Sequence, residues 1–113
     1  MKFVSLSSAQ KFENTPSCIV YEYGGDTSLS GAIAEIHGRY PEDGWAVNDE
    51  VKEMVFVLEG TGRVVTKSSE VQLKKDDMAL IDKGEAYFFE GNALRIFMPT
   101  TPAWTPDQHR VET

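Results

Sequence analysis

Two histidines and a single cysteine are all the imidazole and thiol in this 113-residue chain, and the shortage limits its chemistry at once. Cys18 alone cannot close an intrachain disulfide, so nothing marks an oxidising compartment. With no adjacent histidine or basic run to lower its pKa, it is not expected to act as a nucleophile. His37 and His109 are too far apart to form a metal-ligand motif. Cations are also few: 11 Lys and Arg stand against 18 Asp and Glu, a formal net charge of −7. The lysines are scattered or set beside acids, which argues against nucleic acid as a partner. No run approaches the ~20 apolar residues of a membrane span. The start, Met1-Lys2-Phe3-Val4, lacks the apolar core of a signal peptide. No membrane association and a cytoplasmic location are therefore the expectations. Helical periodicity over any long stretch is missing too, which excludes alternating βαβ layers.

What remains is a chain of short apolar runs. Hydrophobic residues make up 41% of it and twelve are aromatic, enough for one globular domain with a core. Strand candidates recur about every ten residues between Gly, Pro, Asp and Ser, the pattern of an all-β sandwich or barrel. They fall near Lys2 to Ser5, Cys18 to Glu22, Gly31 to His37, Ala46 to Asn48, Glu53 to Leu58, Gly62 to Lys67, Val71 to Leu73, Met78 to Ile81, Ala86 to Phe89 and Ala93 to Met98. A short helical turn is expected around Ser8 to Phe12. Gly60-Thr61-Gly62 reads as a tight corner between two strands, not a phosphate cradle, because no helix follows it. No repeat or linker divides the chain, so residues 1–113 are expected to form one domain with its core over about 31–98 and a tail, 99–113, packed on the barrel.

The run Glu53-Met54-Val55-Phe56-Val57-Leu58 carries the most information. In a strand, Glu53, Val55 and Val57 share one face while Met54, Phe56 and Leu58 share the other. Both faces ask for burial, and one of them brings a carboxylate with it. The second face needs a cover, either the N-terminal segment or another subunit. A homodimer is the expectation.

Glu53 and Gly60 sit in the spacing E-x6-G, and Gly84 sits within Asp76-Asp77-Met78-Ala79-Leu80-Ile81-Asp82-Lys83-Gly84-Glu85-Ala86-Tyr87. On these two motifs, roughly from Gly31 to Met98, the chain resembles a small single-domain cupin. The resemblance implies a double-stranded β-helix, a jelly-roll barrel. Cupins usually carry histidines in the first motif, and here those positions fall on Ala46 and Asn48, or on Val47 and Asp49. In the second motif the glycine, proline, histidine and asparagine positions become Asp76, Asp82, Tyr87 and Gly91. Of the family's usual three-histidine, one-glutamate metal set, only Glu53 is present, so no cofactor is expected. The chain is also similar to a subgroup of small bacterial cupins with Tyr40-Pro41, Gly44-Trp45, Asn48 and the tail Thr101-Pro102-Ala103-Trp104-Thr105-Pro106-Asp107-Gln108-His109.

If that register holds, Asn48, Glu53 and Tyr87 converge where a cupin metal would sit. An amide, a carboxylate and a phenol can hydrogen-bond a polar small molecule, whereas one carboxylate and an amide oxygen hold a divalent transition metal poorly. Glu53 and Tyr87 are the candidate catalytic residues. Desolvation would raise the pKa of Glu53 and suit it to general acid or base work, and Tyr87 could donate to a developing enolate. Equally, Glu53 could be a structural carboxylate satisfied by Tyr87 or Asn48, and Tyr87 a core filler. Asn48, Trp45, Phe89, Gln108 and His109 are the candidate ligand contacts. Trp45 would cover the barrel rim, as packing or as an aromatic floor. Gln108 and His109 would join the site if the stiff tail around Pro102, Trp104 and Pro106 reaches the mouth. His37 reads as an exposed strand end. Three functions fit: a metal-independent small-molecule-binding cupin with isomerase- or lyase-type proton transfer, a metal-dependent oxygenase or isomerase with atypical ligands, or a sensor or interaction module.

Overall fold

In the computed structural model, which describes residues 1–113, nine strands form a single antiparallel sheet that curls into a half-barrel of the jelly-roll kind. The strands are β1 (Gln10–Thr15), β2 (Cys18–Gly25), β3 (Ser30–Tyr40), β4 (Trp45–Asn48), β5 (Lys52–Thr66), β6 (Glu70–Leu73), β7 (Met78–Ile81), β8 (Tyr87–Thr101) and β9 (His109–Glu112). They run in the order β1-β2-β3-β8-β4-β9, with β5 pairing β6, β7 and β8. Helix is limited to two single 3-10 turns, Leu6–Ser8 and Pro106–Gln108.

Two strands of 15 residues, β5 and β8, replace four expected shorter ones. The Gly60-Thr61-Gly62 corner is a bend inside β5 rather than a reversal. Gly60 has φ +82, and a Cβ there would fall on the Ala93 carbonyl oxygen, so only glycine fits. Opposite, β8 bends around Gly91 and Ala93 (φ 49), and Gly62 pairs with Gly91.

These facing irregularities switch which parity of residue points inward. Before its bend β5 buries Glu53, Val55 and Val57, and after it Val64. In β8 the inward set changes from Tyr87 and Phe89 to Leu94 and Ile96. Both strands thereby keep apolar side chains inside along their whole length. The core collects Val55, Val57, Leu94 and Ile96, each essentially unexposed, with Ala34 and Ile36 from β3. Truncating Ile96 to Ala would cost about 2–5 kcal/mol.

The N-terminal segment departs from expectation. Lys2 to Ser5 forms no strand, the helical turn is confined to Leu6–Ser8, and Phe12 lies in β1. Strand β1 pairs with β2 at the far edge of the sheet. It cannot cover the outer face of β5, where Met54 is opposite Leu80, and Phe56 is opposite both Met78 and Phe97. Met54, Met78, Leu80 and Phe97 are exposed on this face. The tail, by contrast, is sheet: β9 pairs with β4, setting His109 opposite Asn48.

Candidate functional site

Alternation along four strands directs one group of side chains into a cavity of about 270 Å³. β3 contributes Ala32, Ala34, Ile36 and Tyr40, all at even positions, and β2 contributes Cys18, Val20 and Glu22. β5 supplies Glu53, and β8 supplies Tyr87, Phe89, Met98 and Thr100. Ala32 and Ala34, paired with Met98 and Ile96 in the register, are small enough to leave the space open. No lysine or arginine lines it.

Glu53 is 5% exposed, and its Oε1 has no hydrogen-bond partner. Burial pushes its pKa from 4.5 up to about 7, with the charge of Glu22 adding to the effect. The structural reading of Glu53 required partners in Tyr87 or Asn48. The Tyr87 hydroxyl instead meets Asn48 Nδ2, at a long 3.5 Å. A carboxyl that is desolvated, unpaired and facing a cavity can hold or release a proton near neutrality. The Tyr87 phenol is held far from ionisation by burial, and then by the charges of Glu53 and Tyr40. It therefore stays a donor.

The tail closes one side. Trp104, Pro106 and His109 line the cavity. Trp104 N–H donates to Ser30 Oγ at 2.9 Å, and that hydroxyl bonds Thr100 Oγ1 at 2.9 Å. Gln108 anchors the crossing: its backbone oxygen accepts from Asp49 N–H at 3.0 Å and its Oε1 from Glu50 N–H at 3.1 Å. Three contacts then reach the site. Asn48 Oδ1 accepts from Trp104 Nε1 at 3.2 Å and lies 2.7 Å from His109 Nδ1, and His109 Nε2 lies 2.8 Å from the Tyr40 hydroxyl. Burial pushes the His109 pKa down, so the ring is neutral at pH 7.

Of the residues singled out from the sequence, Glu53, Tyr87, Phe89 and His109 meet at this cavity. Asn48, 3% exposed, stands behind the wall as the hub for Trp104, His109 and Tyr87. Three of the expected ligand contacts, Asn48, Trp45 and Gln108, do not line the cavity. Trp45 is an odd number of residues from Asn48 on the same strand and so faces away, packing edge-on against Phe88 with Lys67 over its ring. Gln108 is spent on tail anchoring and does not line the cavity. His37 is exposed, its Nδ1 accepting from Ala93 N–H at 2.9 Å.

Tyr40 and Glu22 lie outside the residues that the sequence pattern singles out. Strand β3 runs on past His37, and the alternation Ala32, Ala34, Ile36 carried through Gly38 puts Tyr40 inside. Glu22 continues the Cys18, Val20 parity in the same way.

A jelly roll of this type commonly holds a metal through imidazoles, and these residues do not fit one. No three His, Cys, Asp or Glu side chains come together as a ligand set. Two of the side chains beside Glu53, Tyr40 and Tyr87, are phenols kept protonated by burial, and the Cys18 thiol is likewise held protonated.

No protein-family model matches the chain. No curated protein matches it in sequence either. Solved structures do match in three dimensions. The Streptomyces nucleoside dehydratase Pac13, solved with uridine, superposes with a TM-score of 0.86 at 15% identity, over 100% of this chain and 92% of its own. KdgF from Halomonas gives 0.75 at 10% identity, over 94% of this chain and 98% of that one. The cupin domain of Schizosaccharomyces pombe Cnp3 gives 0.68 at 15% identity, over 87% and 72%. At these identities the likeness is one of fold, and the fold is the cupin double-stranded β-helix.

Proposed function

We propose that this protein binds a small, uncharged, hydroxylated molecule in the cavity and eliminates water from it, with Glu53 as the proton-transfer group. The observation that carries the reading is the Glu53 carboxyl, buried to 5% exposure and unpaired at Oε1 where it faces the space, with its pKa pushed up to about 7 by that burial. Such a group in its protonated form can give its proton to a departing hydroxyl, and general acid catalysis of this kind contributes about 10²- to 10⁴-fold. Tyr87, held protonated, can donate to a carbonyl oxygen on which negative charge develops. The lining explains the preference for an uncharged ligand. Glu22 and Glu53 face the cavity and no lysine or arginine does, so a phosphorylated or carboxylated ligand would find no cation to pair with. Phe89, Trp104 and Tyr40 offer flat apolar surface to a ring.

The reaction class is supported by the nucleoside dehydratase among the structural neighbours. Structures of that protein with uridine carry single replacements of one histidine and two tyrosines. The intervals between those three positions are the intervals between Tyr40, Glu53 and Tyr87 here. We take these three residues as the corresponding set: tyrosine is kept at Tyr87, while Tyr40 stands where that protein has histidine and Glu53 where it has tyrosine. Water is lost most readily from a β-hydroxy carbonyl compound, because the carbonyl acidifies the neighbouring C–H. Incubation with 3-hydroxy aldehydes and ketones of sugars and nucleosides should therefore generate the near-ultraviolet absorbance of an unsaturated carbonyl. Glu53→Gln should slow this a hundredfold or more. No product from any member of the panel, together with no uridine binding by calorimetry, would overturn the reading.

We further read the uncovered face around Met54, Met78, Leu80 and Phe97 as the surface on which a second copy packs, since contiguous apolar side chains left in water are costly.

A further inference from the structure

A dehydration also removes a proton from carbon. A lone carboxylate can take that proton and return it to the departing hydroxyl, but a Glu53 that is protonated at the outset, as in the reading above, leaves the carbon-bound proton to a second group. The contacts made by the tail identify one. An indole N–H can only donate, so the Asn48 amide atom facing Trp104 Nε1 is its oxygen, Oδ1. The same oxygen lies 2.7 Å from His109 Nδ1, so that nitrogen carries the hydrogen. In the neutral ring Nε2 is then an acceptor, and its partner at 2.8 Å is the Tyr40 hydroxyl. Tyr40 therefore gives its own proton to His109 and presents the lone pairs of its oxygen to the cavity it lines.

The geometry points to Tyr40 and His109 as a proton-accepting pair for the substrate carbon, with Trp104 as a positioning residue that sets the direction of transfer through Asn48. The assignment rests on the dehydration reading above. In the first step the substrate C–H bond breaks and its proton passes to Tyr40 Oη, while the phenolic proton moves to His109 Nε2. The freed electron pair is delocalised onto the carbonyl oxygen, where the Tyr87 hydroxyl can meet it. In the second step that pair forms the C=C bond, the C–O bond breaks, and the departing oxygen takes the Glu53 proton and leaves as water. His109 is then imidazolium and Glu53 carboxylate, and return of one proton from the first to the second resets the site. A paired relay suits the surroundings, because Tyr40 by itself resists ionisation: burial first, then Cys18 and Glu53, raise its pKa. The other titratable groups facing the pair are Glu22 and Tyr87. Arg110, next to His109, is turned outward to Asp49 and Glu112.

The test has two readouts. With only two histidines, nitrogen-15 NMR resolves both rings, and His109→Gln assigns them. The expected result is His109 protonated at Nδ1 in the wild type, changing to a tautomer mixture in Trp104→Phe. The second readout is carbon-bound hydrogen exchange in D₂O for the 3-hydroxy carbonyl panel. Glu53→Gln is expected to exchange but not eliminate water, whereas His109→Gln and the ring-conserving Tyr40→Phe should lose exchange by a hundredfold or more, with circular dichroism unchanged. A wild-type His109 protonated at Nε2 alone, or exchange at the wild-type rate in folded His109→Gln and Tyr40→Phe, overturns the pair. The Nδ1–H tautomer with no exchange of any substrate proton by the wild type overturns the dehydration reading and, with it, the catalytic use of the pair.

Discussion

Replacing Glu53 with Gln should remove a pH dependence from the stability of the fold. In the folded protein the Glu53 carboxyl titrates near 7 rather than 4.5, because burial disfavours its charge and Glu22 adds to the effect. A carboxyl with a raised folded-state pKa favours folding in its protonated form. Its contribution is therefore undiminished below pH 4.5, declines as the pH rises toward 7, and levels off above that. A displacement of this size corresponds to a loss on the order of 3 kcal/mol across the window. Other groups titrate there too. Glu22 is raised in the same direction, also by burial, while the half-buried, neutral His109 works the opposite way, losing stability as the pH falls below 6.5. The difference between wild type and Glu53→Gln isolates the one group. Urea unfolding at intervals from pH 4 to 8 should show the two stability curves converging at low pH and separating above it in favour of the glutamine protein. Any constant offset from burying an extra amide moves both ends alike. Parallel curves over the whole range would refute a desolvated, uncompensated Glu53, and the proton-transfer role would fall with it.

Phe97→Arg, at an exposed position on the uncovered sheet face, should convert a dimer to a folded monomer in sedimentation velocity; a wild type that sediments as a monomer at high micromolar concentration would remove the dimer. Gly60→Ala should cost at least about 2–3 kcal/mol in urea unfolding, since φ is +82 and the new methyl would fall on the Ala93 carbonyl. Cys18, 2% exposed and with its pKa pushed to about 12 by burial and then by Glu53, should resist thiol reagents in the native state and react rapidly once urea unfolds the protein. Fast native-state labelling would contradict the packing around it.

Some of this was legible residue by residue. Alternation alone places Glu53 with Val55 and Val57 on a buried face, whereas the corner expected between two strands at Gly60 is a bend within one. Alternation failed where a bulge changed parity. The facing bends at Gly60 to Gly62 and Gly91 to Ala93 reverse the inward set in both strands at once, and a local pattern read across such a bend splits one long strand into two. Of the two readings of Trp45, packing is the one the structure has, against Phe88. The aromatic character of Trp45 suggested a site, whereas its parity relative to Asn48 already pointed it outward.

The all-β class, the family resemblance and the inward-facing carboxylate can be read from local pattern, because strand periodicity and glycine placement need no distant partner. Tertiary structure decided which side chains surround that carboxylate. Tyr40, Glu53 and His109 are far apart along the chain; β3 and β5 both pair with β8 and bring Tyr40 and Glu53 to one cavity, and the pairing of β9 with β4 carries His109 to Asn48. The direction of the hydrogen bonds between them follows from Trp104 on the same crossing segment. The raised pKa of Glu53 is likewise a tertiary effect, since only the folded chain excludes water from it.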